Sequence, residues 1–525
     1  MIDMRKRTLF YTTVTAVVLL LVTACGGSGD KSSGQDSGTP TTGGVLKIAD
    51  GSEVRSLDPV DISIYFTSGG DRAISIYGSL MKYGDEGKVI PAMAKSFTTE
   101  DGLTWTLKLR KGVKFTDGTE YDAKAVKFNL KRHMAPDSNS TGKSLLDDVK
   151  GMTVADPYTL KFELNEKNGA FDSLFTQGSN LGFIASPTAM KKKGDKFGSD
   201  PVGAGPFVFE EWVRDDHLTV VRNDGYWDKE KPYVDKIEYS IIPDPQTKAQ
   251  SLISGQINAA LILPPDAWVS LKDNDQFHIY KEGTSGAAAL FPNAQRGPGK
   301  DERVRKAIQM AFDPAATHKI FNKNVTEWNG SRDCLPFAEN GPECTTNAPE
   351  YDINEAKSLV ADYKEDGNSV KMEILTVSSN DLMDHAKYYQ QVLNSIGLDV
   401  SINGVEVTEY TPGVVKGNYD AVASMILPFP NPYPKVFNFF DQSGSNYPKQ
   451  EDKELDAALE KARDSLSDEK KAAAWKSALS IMNDKGYAIW AAPAPTYTVT
   501  SKDVHLGNAF VAGGSIWYPA DAWID

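Results

Sequence analysis

The sequence predicts an α/β chain of at least two lobes, and three observations carry that expectation. At 525 residues the chain is too long for one hydrophobic core, because cores stop growing near about 250–300 residues. From Gly43 onward, segments with strand periodicity alternate with segments of helical periodicity. The helical segments become denser in the second half, which places a lobe boundary near residue 294.

The N-terminus comes first. Arg5, Lys6 and Arg7 precede the short apolar run "VTAVVLLLV" (14–22), and "LVTAC" (21–25) closes it with small residues before a cysteine. The run is short for a membrane-spanning helix and reads as a cleaved signal, residues 1–24. Val22-Thr23-Ala24-Cys25 resembles a bacterial lipobox. That resemblance implies that the Cys25 thiol is diacylated and anchors the chain to the outer face of the cytoplasmic membrane. Two acyl chains hold a protein firmly, since each buried CH₂ contributes about 0.8 kcal/mol. Residues 25–42 then read as a flexible Gly/Ser/Thr linker with an end-to-end distance of roughly 25 Å.

In the body, "LTWTLKL" (103–109) alternates apolar and polar residues between two Asp/Lys-Gly turns, the pattern of a half-buried strand. In "YDAKAVKFNLKRHM" (121–134), Asp122 is placed as an N-cap, with Val126, Leu130 and Met134 on one helical face. Further strands are expected around Leu160/Phe162/Leu164, Ile237/Tyr239/Ile241 and Leu398/Val400/Ile402. Amphipathic helices are expected over 301–313, around Tyr388–Ile396, around Leu455–Ala462 and around Trp475–Met482.

The net charge of −14 and pI near 5.1 argue against a nucleic-acid partner. Six histidines lie scattered without i,i+4 pairs, so no metal site is expected. No nucleophile elbow, Walker loop or isolated carboxylate pair marks a catalytic centre, and no catalytic residue or cofactor is assigned. "PVGAGPF" (201–207) carries two glycines suited to a tight backbone crossing between lobes. Cys334 and Cys344 are expected to form a disulfide in an oxidising compartment, with two free thiols as the alternative. Aromatic residues crowd the C-terminal third, as a binding cleft between lobes requires. A lipid-anchored hydrolase is the competing class.

Five separated segments, in order, resemble the extracellular solute-binding proteins of family 5, the peptide/nickel-type receptors of bacterial ABC importers. They are "GGVLKIADGSEVRSLDP" (43–59), "IPAMAKSFTTEDGLTWTLKLRKGVKFTDGTEYDAKAVKFNLKR" (90–132), "PVGAGPFVFEEW" (201–212), "RNDGYWDKEKPYVDKIEYSIIPDPQTKAQSLISGQIN" (222–258) and "NAQRGPGKDERVRKAIQMAFD" (293–313). The resemblance implies a two-lobed periplasmic-binding-protein-like fold of type II, cluster C, with an extra inserted domain. Domain I would comprise 43–87, 206–292 and 496–525, domain II would be the insertion 88–205, and domain III would cover 293–495. Crossings near 292 and 495 would form the hinge. The implied protein is a monomer that captures a solute between its lobes and delivers it to membrane permease subunits.

In peptide-binding members of that family an acidic residue pairs with the ligand's α-amino group. The corresponding stretch here is "MILPFPNPYPKVF" (425–437), and the acid's place falls at about Pro428. A buried ammonium without a carboxylate is costly, so the expected ligand is an oligopeptide held differently, a blocked or peptide-like solute, an oligosaccharide or a metal chelate. Apolar flanks on both sides argue that the proline run is held inside a fold rather than being a linker or docking peptide; a rigid pocket wall is expected, with a purely structural loop as the alternative. The residues expected to meet ligand are Phe291 and Asn293 at the hinge strand, Leu427, Phe429, Asn431 and Tyr433 on the wall, and Tyr65 and Trp517 from domain I.

Overall fold

Three sheets organise the chain. The computed structural model describes residues 38–62, 69–84, 87–262, 265–281, 285–323, 327–507 and 517–525, all within the unit Gln35–Asp525. Cys25 and Tyr65 lie outside the described residues.

A seven-stranded sheet is ordered Phe277–Lys281, Tyr497–Ser501, Ala259–Ile262, Val45–Asp50, Lys236–Ile241, His217–Arg222, Phe207–Val213. Its centre is parallel, with Val45–Asp50 paired to Lys236–Ile241 and Ala259–Ile262, and its flanks are antiparallel. A five-stranded sheet is ordered Asp399–Val405, Lys371–Val377, Ala421–Ile426, Ala287–Pro292, Ile489–Pro493. The strand Ala287–Pro292 pairs with Ala421–Ile426 and Ile489–Pro493, so the change from one sheet to the other falls before residue 292, between Lys281 and Ala287.

The third sheet has four antiparallel strands, Ala94–Thr99, Thr104–Leu109, Thr159–Leu164 and Val149–Asp156. Alternation sets its inner face: Trp105, Leu107 and Leu109 are buried, as are Leu160, Phe162 and Leu164. Phe97, Trp105, Phe162, Phe171 and Phe175 form a ring cluster beneath it, with the Phe97–Trp105 and Phe97–Phe175 centroids both 5.2 Å apart and edge-on. Such geometry is favoured by the ring quadrupoles.

Helix starts follow side-chain chemistry. The Asp122 carboxylate accepts from the Ala125 N–H to open Ala123–His133, and Asp301 and Asp452 do the same for Glu302–Met310 and Lys453–Asp464. Each cap satisfies an N–H that has no partner inside the helix.

The four-stranded sheet is fastened to the seven-stranded one. Arg132 grips Asp58 with two parallel bonds of 2.9 and 2.7 Å. Gly205 N–H donates to the Ile76 carbonyl at 2.9 Å. A Cβ on Gly203 would stand 2.0 Å from that carbonyl oxygen, so only glycine admits this approach.

Candidate functional site

The chain passes twice between the seven- and five-stranded sheets, from Lys281 to Ala287 and from Pro493 to Tyr497. These two adjacent connections define the candidate site, and the proline run lies against the first of them. Ser285 Oγ donates to the Phe429 carbonyl at 2.7 Å and accepts from the Phe429 N–H at 2.9 Å. Gly286, at φ +98°, places its α-carbon where a side chain would meet the Ile426 carbonyl and Pro428 nitrogen at 2.8 Å. Its N–H donates to the Pro336 carbonyl at 2.6 Å.

Residues 427–434 are neither helix nor strand, as the prolines require. Phe429 and Tyr433 are buried, while Leu427 and Asn431 are half-buried. Phe429 meets Phe337 edge-on at 6.2 Å, and Phe337 meets Trp475 at 6.0 Å. Asn431 Oδ1 accepts from the Tyr433 N–H at 3.1 Å, fixing the turn from within. The Tyr433 hydroxyl accepts from Asn168 Nδ2 at 2.9 Å, and burial pushes its phenol up to about 12.

Phe291 is fully enclosed by aromatic rings of its own body: Tyr447 at 5.4 Å, Phe439 at 5.7 Å, Phe440 at 5.8 Å and Trp490 at 6.1 Å. Its neighbour Asn293 is also buried, and its amide donates to the carbonyls of Tyr419 at 2.9 Å and Gly417 at 3.2 Å. Trp517 is buried in the main core beside Tyr518. The structure therefore places Leu427, Phe429, Asn431 and Tyr433 on one loop, makes Phe291 a packing group among 439–447 and Trp490 and Asn293 a holder of the 417–419 turn, and sets Trp517 within the core.

A cavity of about 260 Å³ opens beside both crossings, lined by Lys281, Ser285, Pro493 and Pro495 on one side and by Trp328 and Phe337 on another. Its rim includes Cys334 and Cys344, joined by a disulfide with Cα atoms 4.1 Å apart. The loop carrying that bond also holds Arg332, which donates to the Gln309 carbonyl at 3.0 Å and to the Pro349 carbonyl. Burial lowers the Arg332 guanidinium to about 10.

Sequence reasoning missed a group of charges at the carboxyl end of the first strand. Asp50, Asp71, Arg72 and Lys248 are all buried, with Arg72 Nη2 2.8 Å from Asp50 Oδ2. Burial raises both carboxyls, Asp71 most strongly because Asp50 adds its own charge, and burial lowers Lys248. Their positions, scattered over two hundred residues, form no motif that a sequence displays. Among the described residues no group of three or more His, Cys, Asp or Glu stands together to hold a metal ion.

Two sheets joined by two adjacent crossings are the architecture of two-lobed periplasmic binding proteins, and solved structures share it. The periplasmic binding protein DppA of Helicobacter pylori, in complex with the peptide STSA, superposes with a TM-score of 0.78 at 23% identity, over 92% of this chain and 98% of that one. NikA of Brucella suis, in complex with Fe(III)-EDTA, gives 0.78 at 22% identity, over 92% and 100%. The chain belongs to the bacterial extracellular solute-binding proteins, family 5, whose "Middle" model matches residues 88–448. That family is one of binding proteins, not enzymes. Among its relatives, the glutathione-binding protein GsiB of Salmonella paratyphi A is 31% identical over 274 residues, 52% of this chain and 53% of the relative. The chain thus spans about half the length of the curated relatives it matches.

Proposed function

We propose that this protein is the solute-capturing component of an ABC importer, taking an oligopeptide or peptide-like solute between the seven-stranded and five-stranded bodies and presenting it to membrane permease subunits. The observation that carries the reading is the pair of crossings with the proline wall fastened to one of them through Ser285 and Phe429. A wall tied to the crossing reports any rotation between the bodies. Closure over a solute is then driven by the solute's higher affinity for the closed form.

On this reading, domain I comprises 43–87, the seven-stranded sheet and the C-terminal strands, domain II carries the four-stranded sheet, and domain III carries the five-stranded sheet. Leu427 and Asn431 are the wall residues that meet the solute, with Phe429 and Tyr433 holding their loop in shape. Cys25 is diacylated and, through the linker to residue 42, tethers the body to the membrane as a monomer. The stretch 425–437 contains no carboxylate, so a solute with a blocked amine, or one whose amine is met elsewhere, fits this wall best. A metal chelate or an oligosaccharide is the second reading, favoured by the same absence of an acid.

The test is a thermal-shift screen of protein unfolded and refolded to strip any trapped solute. The solutes are reduced glutathione, short peptides with free and acetylated N-termini, oligosaccharides and metal chelates. Saturation at 100 times Kd adds about 2.7 kcal/mol, which raises Tm by a few degrees in a protein of this size. Stabilisation by a peptide or glutathione supports the first reading. Stabilisation by chelates or sugars alone replaces it with the second, and hydrolysis of any of them by the purified protein overturns both.

A further inference from the structure

The four-stranded sheet touches the five-stranded body at a point where one residue has no room for a side chain. The Gly169 N–H donates to the Arg463 carbonyl at 2.7 Å. Arg463 and Ser465 lie at the C-terminal end of the helix Lys453–Asp464, whose last carbonyls lack partners within the helix. A Cβ built on Gly169 would stand 2.1 Å from the Ser465 carbonyl oxygen, 2.7 Å from its carbon and 3.1 Å from the Asp464 oxygen. All three of these nearest atoms belong to the other body. Gly169 is not among the residues with positive φ, so alanine suits its backbone.

Three further contacts surround this point. Asn168 donates to the Tyr433 hydroxyl at 2.9 Å, Ser173 Oγ donates to the Tyr433 carbonyl at 3.4 Å, and Arg463 pairs with Glu166 at 3.1 Å. Arg463's helix packs on the next helix, Asp468–Lys485, and that helix is part of the five-stranded body, since Gln309 and Arg305 donate to its Asn483 and Lys485 carbonyls at 3.0 and 2.7 Å. The four-stranded sheet is in turn fixed to the seven-stranded body by Arg132 and Asp58.

We propose that Gly169 on Arg463 and Ser465 is a latch that holds the bodies closed, and that the missing side chain sets how readily the closed form is reached. The proposal rests on the solute-capture reading for its purpose. A methyl group at residue 169 obstructs nothing until the bodies meet, because the atoms it strikes lie across the gap. The Gly169 contact lies away from the crossings, and Tyr433 ties it to the proline loop two residues from Asn431, so it tunes closure without itself touching solute. It also gives Tyr433 a role as a latch partner.

The experiment compares full-length wild type, Gly169→Ala and Glu166→Lys by hydrogen–deuterium exchange and small-angle scattering, without solute and with reduced glutathione or whichever screened solute stabilises wild type. With the solute that stabilises wild type bound, exchange over 165–173 and 460–466 is expected to be faster in Gly169→Ala than in wild type while Thr104–Leu109 and Lys371–Val377 keep their protection, and the radius of gyration is expected to exceed that of solute-bound wild type. Glu166→Lys, an exposed charge reversal against Arg463, is expected to move both readouts the same way by less. Whichever solute stabilises the wild type in the thermal screen is expected to bind Gly169→Ala about tenfold more weakly or worse. Equal exchange in those two segments across solute-bound wild type and Gly169→Ala, with equal dimensions, overturns the latch while capture stands. If wild type takes up no solute of any class, the capture reading falls and the latch falls with it.

Discussion

Ser285 and Phe429 are joined twice through a single hydroxyl, which donates to the Phe429 carbonyl at 2.7 Å and accepts from its N–H at 2.9 Å. Both residues are buried, so neither backbone group has water to fall back on. One serine side chain therefore couples the first crossing to the proline wall.

Ser285→Ala leaves a buried N–H and a buried carbonyl without partners. The expected loss is about 1–3 kcal/mol, the usual cost of orphaning buried polar groups. Chemical denaturation measures it, and an unchanged midpoint shows that the wall is held by its apolar contacts instead.

The disulfide between Cys334 and Cys344 closes a loop of sequence separation 10. Loops of this size lose about 2–3 kcal/mol of stabilisation when opened, in the chain-entropy account. Mild reduction is expected to lower Tm by a few degrees and to loosen the loop that rims the cavity, with faster exchange over 327–348 as the local signature.

Asp172 gives a pH prediction with a defined sign. Burial raises its carboxyl from 3.8 to about 6, against the opposing pull of Lys471. The folded chain thus holds a proton that the unfolded chain has released, and stability contributed by this group falls as pH rises from about 4 to about 6, then stays level. Asp172→Asn removes that fall. The difference in unfolding free energy between pH 3.5 and pH 7 is expected to shift by about 3 kcal/mol relative to wild type, and parallel pH profiles for the two proteins contradict the assignment.

Leu427 and Asn431 are the half-buried members of the wall. Leu427→Gln and Asn431→Ala are each expected to weaken solute binding about tenfold while lowering Tm by no more than a few degrees, since neither opens a fully buried cavity. Titration calorimetry with the stabilising solute checks this. Unaltered affinity in both variants moves the binding surface off the proline loop.

Where the sequence spoke through local periodicity, it could be read directly. The alternation in 103–109 and the Asp122 cap became the strand Thr104–Leu109 and the helix Ala123–His133. The glycines of "PVGAGPF" did mark a close backbone approach, with Gly203 and Gly205 packed on Ile76. The contacts that assemble the site are of another kind. Ser285 meets Phe429 across 144 positions and Asn168 meets Tyr433 across 265. No window of sequence holds such pairs. Phe291 and Asn293 show the related difficulty that side-chain type and position suit a ligand contact, whereas packing encloses both.

Capture as proposed is closure of the two bodies about the crossings at 281–287 and 493–497. Small-angle scattering of refolded, solute-free protein, repeated at saturation with the solute that raises Tm most, tests it most directly. Capture by closure gives a smaller radius of gyration with solute and a return to the larger value when the solute is removed. A solute that binds and stabilises while the dimensions stay fixed contradicts capture by closure.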